Sequence, residues 1–237
     1  MKIVILYLGC AADFTNNVAS QVALMYPDAE IDKIAVTWAG KNGAGFREAF
    51  ADARVFEHEY ERYLDEITQA AKLFQIRMRE TVPVNSMSMF YGWKLGLQAL
   101  DGVEADLFVK CRMDNRILPL GADSRFLDRD GLFIPSGGDW RGGLSDQFCS
   151  GSREDLSYYL SLFDHLPRYA AVGVPCHPET LVRFHMSDAG GRRIERAPMV
   201  LAYHRGIYNP DVAQALRGVD GDKWQPKVTL ADLAQNI

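Results

Sequence analysis

DLFVKCRMDNRIL, residues 106–118, is a short apolar run that changes abruptly into a cluster of charges. Leu107, Phe108 and Val109 predict a buried strand, since a short apolar run is typical of a strand covered on both faces. The polar residues that follow within seven positions are Lys110, Arg112, Asp114, Asn115 and Arg116. Ligands of open α/β sheets bind at the carboxyl ends of the strands. This junction is therefore the first candidate for a functional site.

The residue types in this cluster favour a phosphorylated ligand. Arg112 and Arg116 each carry a planar guanidinium that can form paired hydrogen bonds with phosphate oxygens. Asp114 could hold a divalent cation or a sugar hydroxyl beside them. A solvated network of ion pairs at a strand end would give the same local pattern, and such networks contribute little energy. The pattern alone leaves both interpretations open.

The overall composition is that of an ordinary globular protein, with 48% hydrophobic and 24% charged residues in a chain of 237. This length suits one α/β domain or two small ones, and a single domain is the simplest interpretation because no linker or repeat stands out. The net charge is −5 and the pI is about 5.6. An extended basic surface for nucleic acid is therefore not expected.

The cysteines and the first residues indicate a cytoplasmic protein. Cys10, Cys111, Cys149 and Cys176 show no C-x-x-C spacing, so nothing indicates a zinc or dithiol site. Scattered thiols are typical of a reducing compartment. MKIVILYLGC has an apolar core too short for a signal sequence and predicts a first strand over 3–8. No run approaches the roughly 18 apolar residues that a membrane-spanning helix needs.

Apolar periodicity predicts alternating strands and helices, and hence an α/β fold. Strands are predicted at 3–8, 31–38, 107–109, 132–135 and 199–203. Helices are predicted at 18–25 and 85–100, from a Ser152 cap to about 166, and from Pro178 onward. In the helix 85–100, Tyr91 and Trp93 could stack on a base or a sugar, although such apolar stripes are usually core. The glycine-rich stretch SGGDWRGGLS, residues 136–145, predicts a flexible loop of the kind that carries functional residues or closes over a substrate.

Several segments in order resemble a known family. They are MKIVILYLG, IAVTW, SMSMFYGWKLGLQAL, FVKCRMDNRI, LFIPSGG with GLSDQFCSGSREDL, and HPETLVRFHM. This order, over most of residues 1–205, resembles the WavE-type lipopolysaccharide-synthesis glycosyltransferases and related capsule glycosyltransferases. The resemblance implies a single Rossmann-like GT-A domain with a mostly parallel central sheet flanked by helices. It also implies a hexosyltransferase-like enzyme that moves a sugar from a nucleotide-sugar donor to a surface-polysaccharide acceptor.

The resemblance further implies how the chain is divided and what it meets. Residues 1–115 would form the nucleotide-sugar half, residues 116–217 the acceptor half, and residues 218–237 a peripheral tail. The expected partners are a nucleotide-sugar donor and a glycan or glycolipid acceptor, with no nucleic acid. Lipid-linked acceptors would allow a cytoplasmic enzyme to contact the inner membrane peripherally, although no strongly basic amphipathic helix is evident.

The resemblance places the donor site at the R-x-D motif. Gly9, Arg112, Asp114, Arg116 and Arg205 are the implied nucleotide-sugar residues, since Arg112-Met113-Asp114 stands where GT-A enzymes carry an acidic motif. A divalent metal, Mn or Mg, would be held by Asp114 and His204. The sequence departs from the family pattern at two points. The loop after the first strand is Gly9-Cys10-Ala11-Ala12 without an arginine, and the motif holds one aspartate instead of two, which weakens the metal prediction.

Glycosyl transfer also requires a base in inverting enzymes, and Asp146 is the first candidate because it follows the glycine-rich loop. Asp139 and Glu179 are the reserve candidates, although a carboxylate at a helix start or in a loop often has a structural role. Two other functions stay open at this point. The missing arginine and the single aspartate also suit a non-catalytic nucleotide- or sugar-binding module. A sugar nucleotidyltransferase is less favoured, because the glycine- and lysine-rich loop of that class is absent.

Overall fold

The structure is a computed structural model that describes residues 1–11, 16–74, 82–117, 131–135, 139, 142–188, 192–196 and 201–203. Arg116 and residues 201–203 are described through their backbone only. The strands are β1 Lys2–Leu8, β2 Glu30–Trp38, β3 Arg54–His58, β4 Leu107–Arg112, β5 Asn115–Ile117, β6 Leu132–Phe133, β7 Phe148–Gly151, β8 Ile194–Glu195 and β9 Leu201–Tyr203. The helices are α1 Val18–Met25, α2 Phe46–Ala49, α3 Leu64–Lys72, α4 Pro83–Ala99, α5 Arg153–Leu160, α6 Leu162–Ala171 and α7 Pro178–Ser187, with a 3-10 turn at Tyr60–Tyr63.

The central sheet has seven strands in the order β3-β2-β1-β4-β7-β6-β8. Strand β7 is antiparallel to both of its neighbours, and every other described pairing in this sheet is parallel. A mostly parallel sheet flanked by helices confirms the predicted Rossmann-like α/β class. A separate ribbon pairs β5 with β9, with Asn115 opposite Tyr203.

Both faces of the sheet are covered, because the inner strands are apolar on both sides. In β1, Val4, Leu6 and Leu8 belong to one buried cluster, and Ile3, Ile5 and Tyr7 belong to the other. Helix α4 packs closely on the first face: a Cβ at Gly96 would lie 2.6 Å from a methyl carbon of Leu8. This close packing holds the carboxyl-terminal half of α4 against the end of β1.

The sheet order places a topological switch point at β1, since the chain continues to β2 on one side and β4 lies on the other. Loops that diverge at such a point leave a crevice at the carboxyl ends of the strands. The strand end predicted from the sequence is therefore in the position where a ligand would bind.

Two predicted elements differ from the structure in ways that matter for the site. Strand β4 continues through Arg112, so Lys110 and Cys111 lie within the strand and not after it. The helix predicted from Ser152 to about 166 is two helices that meet at Ser161; Ser152 does cap the first, accepting a hydrogen bond from the Asp155 amide at 3.1 Å. Among the described helices, none combines the length and the apolar character that crossing a bilayer requires.

Candidate functional site

A cleft of about 420 Å³ opens at the carboxyl ends of β1, β2 and β4. Its floor includes Gly9 and Cys10 after β1, and Thr37 near the end of β2. One wall is the amino-terminal half of α4, which contributes Asn85, Ser86, Ser88, Gly92 and Trp93. Arg112, Asp114 and Asp146 line the same cleft. Four of the predicted site residues, Gly9, Arg112, Asp114 and Asp146, thus come together in one concave space.

Arg112 and Asp114 form a paired, two-bond interaction. The Arg112 Nε and one terminal nitrogen donate to the two Asp114 carboxylate oxygens, each at 2.8 Å. The Asp114 side chain is only 2% exposed, whereas the Arg112 side chain is 23% exposed. The guanidinium is therefore the more accessible member of the pair.

The turn that carries this pair is held by asparagine side chains. The Asn16 amide donates to the carbonyls of Arg112 and Met113 at 3.0 and 3.2 Å. Asn17 accepts from the Ile117 amide and donates to the Ile117 carbonyl, at 2.7 and 2.8 Å. These bonds fix the backbone on both sides of Asp114, so the position of its carboxylate is set before any ligand arrives.

Lys110 lies one step behind Arg112 on the same face of β4 and is completely buried. Its Nζ lies 4.4 Å from the centre of the Trp93 ring and 5.7 Å from that of Tyr159, and it donates to the backbone carbonyl of Asp146. Burial lowers the pKa of Lys110 to about 8, against the nearby Cys149 and Asp146, which favour the charged form. A cation held by aromatic rings and a carbonyl links β4 to the loop that carries Asp146.

Asp146 and its neighbours follow the glycine-rich loop and are buried at the cleft edge. The Tyr159 hydroxyl donates to the Ser145 carbonyl at 3.3 Å, and the Asn115 amide donates to the Gln147 carbonyl at 3.0 Å. The backbone on each side of Asp146 is thus held by a separate element. This arrangement positions a carboxylate at the cleft.

Glu179 lies in the first turn of α7, next to Pro178 at the cleft lining. Burial, together with the negative charge of Asp146, raises the pKa of Glu179 to about 8, while Arg112 acts in the opposite direction. The His177 Nδ1 lies 3.4 Å from a Glu179 carboxylate oxygen. The Glu179 carbonyl accepts from the Leu144 amide at 2.9 Å, so the helix start also anchors the loop before Asp146.

Asp139, the other reserve candidate, makes structural bonds. One carboxylate oxygen accepts from the Ser145 amide at 3.0 Å and the other accepts from Arg196. Arg196 also donates to the Pro135 carbonyl at 2.9 Å. Asp139 is not among the residues that line the cleft, and its bonds tie the loop to the strand region around β6.

The ribbon of β5 and β9 brings the last predicted segment toward the site. Tyr203 pairs with Asn115, the residue after Asp114, and the chain then continues to His204 and Arg205. His204, Arg205 and the side chain of Arg116 lie outside the described residues, so their predicted roles stay predictions. Asn115 is fully buried, and its side-chain oxygen has no hydrogen-bond partner among the residues that the structure describes.

Among the described residues, the donor set around Asp114 does not fit a divalent metal. Within the described ranges, no three His, Cys, Asp or Glu side chains lie together in a way that could hold an ion. Both oxygens of Asp114 are already bonded to Arg112. The other predicted ligand, His204, is outside the described residues.

Two features of the cleft are not predicted from the sequence. The sequence places Lys110 among the charges after the strand, although the alternation Phe108, Lys110, Arg112 along one strand face is a usable signal. The polar start of α4, with Asn85, Ser86 and Ser88, is likewise not predicted as a cleft wall. Of the two aromatic candidates, Trp93 lines the cleft, whereas Tyr91 packs against Tyr63 and donates to Glu66 at 3.1 Å.

The fold and the position of the cleft define a Rossmann-like α/β protein. No family model matches the sequence, and no curated protein matches it. Among solved structures, the chain is similar to mouse xyloside xylosyltransferase 1 in its apo form, with a TM-score of 0.41 and 11% identity over 80% of this chain and 82% of that chain. A likeness of this degree carries no argument about activity. The resemblance to the WavE-type family therefore rests on the quoted segments alone.

Proposed function

We propose that this protein is a glycosyltransferase that uses a nucleotide-sugar donor. The observation that carries the proposal is the cleft at the switch point of the sheet, which brings a guanidinium and a buried carboxylate to one space. Arg112 supplies positive charge for a diphosphate, and Asp146 supplies a candidate base. The start of α4 has no acidic residue in its first turn, so its partial positive charge also favours an anion in the cleft.

The proposed reaction replaces one bond at the anomeric carbon of the donor sugar. The bond from that carbon to the diphosphate oxygen breaks, and the electron pair leaves with the nucleoside diphosphate. Arg112 stabilises the charge that develops on this leaving group. An acceptor hydroxyl attacks the anomeric carbon, and its proton passes to the Asp146 carboxylate. Glu179 is the reserve base, while Asp139 is less suited because both of its oxygens hold the loop.

The finer assignment is a hexosyltransferase that acts on a lipopolysaccharide or capsule acceptor. It rests on the resemblance of the ordered sequence segments. With it goes the proposed division into a nucleotide-sugar half at 1–115, an acceptor half at 116–217 and a tail at 218–237. A cytoplasmic location with peripheral contact at the inner membrane belongs to the same proposal, since lipid-linked acceptors would be met there.

The second candidate is a nucleotide- or sugar-binding module without chemistry. It is favoured by one observation: the Arg112 fork, the most accessible cation described in the cleft, is engaged by Asp114. A protein that only binds a nucleotide would need the cleft and the cation but no base. The two candidates therefore differ in whether Asp146 matters for turnover.

The experiment combines binding and turnover on the same preparations. Uridine and guanosine diphosphates are titrated calorimetrically, and hydrolysis of their sugar conjugates is measured for the parent, Asp146→Asn and Asp139→Asn. We expect Asp146→Asn to keep nucleotide binding and to lose at least about 100-fold in turnover, a loss typical for removal of a general base. Asp139→Asn is the matched control and should retain most turnover. Binding by the parent without any turnover would favour the second candidate, and absence of nucleotide binding would overturn both.

A further inference from the structure

The pairing of Arg112 with Asp114 determines which of the two charges a ligand can reach. Both carboxylate oxygens of Asp114 accept from the guanidinium at 2.8 Å, and the carboxylate is nearly inaccessible. The arginine is roughly ten times more exposed as a fraction of its side chain, at 23% against 2%, and it lines the cleft. A ligand that enters the cleft therefore meets the cation first, with the carboxylate behind it.

A divalent metal at this position would need a different arrangement. Mg²⁺ and Mn²⁺ sites are built from several oxygen donors with open lone pairs and bound water. The described residues hold no group of three His, Cys, Asp or Glu side chains that could bind a metal, and the Asp114 carboxylate is buried and bonded twice to a cation. Bringing a metal to Asp114 would compete with two charge-assisted hydrogen bonds and place two cations side by side.

We propose that Arg112 is the resident cation of the site and that it binds the phosphates of a nucleoside diphosphate without a divalent metal, while Asp114 acts as its positioning residue. This inference rests on the proposed function and specifies how that site holds its donor. The pair with Asp114 orients the guanidinium through two parallel N–H bonds, and Arg112 lines the cleft. The Asn16 bonds to the Arg112 and Met113 carbonyls hold the backbone of the pair in place.

The geometry of the pair predicts that charge alone is not sufficient. A lysine at 112 keeps the positive charge, but its ammonium cannot make the two parallel bonds that Asp114 makes with a guanidinium. An asparagine at 114 keeps the shape and one acceptor, but it loses the charge that orients the arginine. Both substitutions should therefore weaken phosphate binding, although each of them keeps part of the original group.

The test titrates uridine diphosphate and guanosine diphosphate into the full chain, once with EDTA and once with excess MnCl₂. We expect the affinity of the better nucleotide to agree within about twofold between the two buffers, and Arg112→Lys and Asp114→Asn each to weaken it at least about tenfold, as loss of a charge-assisted pair implies. Arg192→Lys is the matched control. Arg192 also makes two carboxylate bonds, to Asp155 and Glu154 at 2.9 Å, on residues that do not line the cleft.

The possible results separate this inference from the proposed function. Nucleotide binding that requires MnCl₂, or Mn²⁺ binding to the protein alone that disappears in Asp114→Asn, overturns the role of Arg112 and leaves the glycosyltransferase proposal standing. If neither nucleotide binds in either buffer, the proposed function fails and this inference fails with it. The comparison of buffers uses the parent protein, so it decides the question even if a variant does not fold. Circular dichroism identifies such a variant.

Discussion

Two groups of buried and partly buried polar side chains in this protein differ in whether they hold charge. The cleft cluster consists of Lys110, Arg112, Asp114, Asp146 and Glu179, and the histidine cluster consists of Tyr158, His165, Tyr169 and His185 between α5, α6 and α7. In the histidine cluster the central ring is neutral and fully bonded. In the cleft cluster ionisable groups of both signs are held close together, and burial opposes the charge of Lys110 and of Glu179.

The bonding of His185 shows how the histidine cluster avoids charge. Its Nε2 lies 2.7 Å from the Tyr158 carbonyl, which can only accept, so this nitrogen carries the proton. Its Nδ1 lies 2.7 Å from the Tyr169 hydroxyl, which must then donate. The ring stacks on Tyr158 with centroids 4.3 Å apart and an interplanar angle of 1°. Both ring nitrogens are satisfied in the neutral state, so this cluster has a structural role.

The difference between the clusters bears on function. Buried charges that are not neutralised cost stability, and proteins often retain them where chemistry or ligand binding needs them. The cleft cluster retains Lys110 and Glu179 at such a cost beside a cavity. In the histidine cluster, by contrast, the hydrogen bonds of His185 suit its uncharged form. Substitutions in the two clusters should therefore differ in kind, affecting stability in one and activity in the other.

The largest expected effect is the acid destabilisation that His185 causes. Burial lowers its pKa from 6.5 to about 4, so below pH 6.5 the unfolded chain takes up a proton that the folded chain resists. The contribution of His185 to the free energy of unfolding should be complete above pH 6.5 and should fall by about 3 kcal/mol as the pH drops toward 4. Urea denaturation across this range measures the slope, and His185→Gln should remove most of it.

The control for this prediction is a histidine outside the cluster. His58 lies at the end of the edge strand β3 and is partly exposed. His58→Gln should keep the steep part of the slope. If His58→Gln flattened the slope and His185→Gln did not, the assignment of the acid sensitivity to the histidine cluster would be wrong.

The next effect is the loss of activity expected for Lys110→Met. Methionine fills a similar apolar volume, but it cannot donate to the Asp146 carbonyl or interact as a cation with Trp93. Under the proposed function, Asp146 should lose its alignment, and turnover should fall about 100-fold, as small displacements of catalytic groups can cause. Stability should change by no more than about 2 kcal/mol, because removal of a desolvated charge offsets the lost hydrogen bond.

Lys94→Met is the matched control. Lys94 also lies over two aromatic rings, those of Tyr91 and Phe163, at 5.8 and 5.7 Å, but it pairs with Asp164 at the surface. Its removal should leave turnover unchanged. Equal losses in both variants would mean that Lys110 has no special relation to Asp146.

The fold is largely predictable because its signals are local. The apolar runs of β1 and β2 and the long apolar helix α4 predict strands and a helix close to their observed bounds. The order of strands is not derivable in this way. The antiparallel insertion of β7 beside β4 depends on contacts between Phe108 and Gly151 that are distant in sequence, and no local pattern encodes them.

The candidate site is predictable only in outline. The rule that ligands bind at strand ends places Arg112 and Asp114 at a cleft, and the glycine-rich loop points to Asp146. The bonds between these residues could not be predicted, since the pairing of Arg112 with Asp114 depends on the turn that Asn16 holds. The prediction for Lys110 is wrong because a lysine next to other charges suggests a solvated cluster, whereas its aromatic partners come from other elements.

A smaller effect is expected for Glu179→Gln, with a pH dependence opposite to that of His185. The pKa of Glu179 is raised to about 8, so the folded chain holds a proton that the unfolded chain releases above pH 4.5. In a His185→Gln background, where the opposite contribution of His185 is removed, the chain should therefore lose stability as the pH rises from 4.5 to 8, and adding Glu179→Gln should abolish this loss. The variant should be more stable than the parent near pH 8 and similar to it near pH 4.5. Urea denaturation at both pH values measures the difference.

The exposed residue Glu154 provides the control, since its side chain is 83% exposed and pairs with Arg192 at the surface. Glu154→Gln should show no gain in stability at high pH. If the free energy of unfolding of His185→Gln rose from pH 4.5 to 8, the assignment of a protonated Glu179 would be contradicted.

The smallest effect is expected for Gly143→Ala, which tests whether the loop before Asp146 is anchored to α7. A Cβ at Gly143 would lie 2.4 to 2.6 Å from backbone and Cβ atoms of Glu179, so the loop would have to move. We expect a loss of about 1 kcal/mol in stability, at the low end of the cost of overpacking, since the loop can shift to relieve part of it. Under the proposed function, a measurable loss of turnover should accompany it. Urea denaturation and the donor-hydrolysis assay measure the two effects.

Gly92→Ala is the control for the stability effect of Gly143→Ala. Gly92 lies within α4, and a Cβ there would meet no other described atom within 4 Å, so alanine should stabilise the helix by up to about 1 kcal/mol. If Gly143→Ala were as stable as the parent and fully active, the Glu179 backbone would not fix the loop. The cleft cluster would then be less tightly organised than its hydrogen bonds indicate.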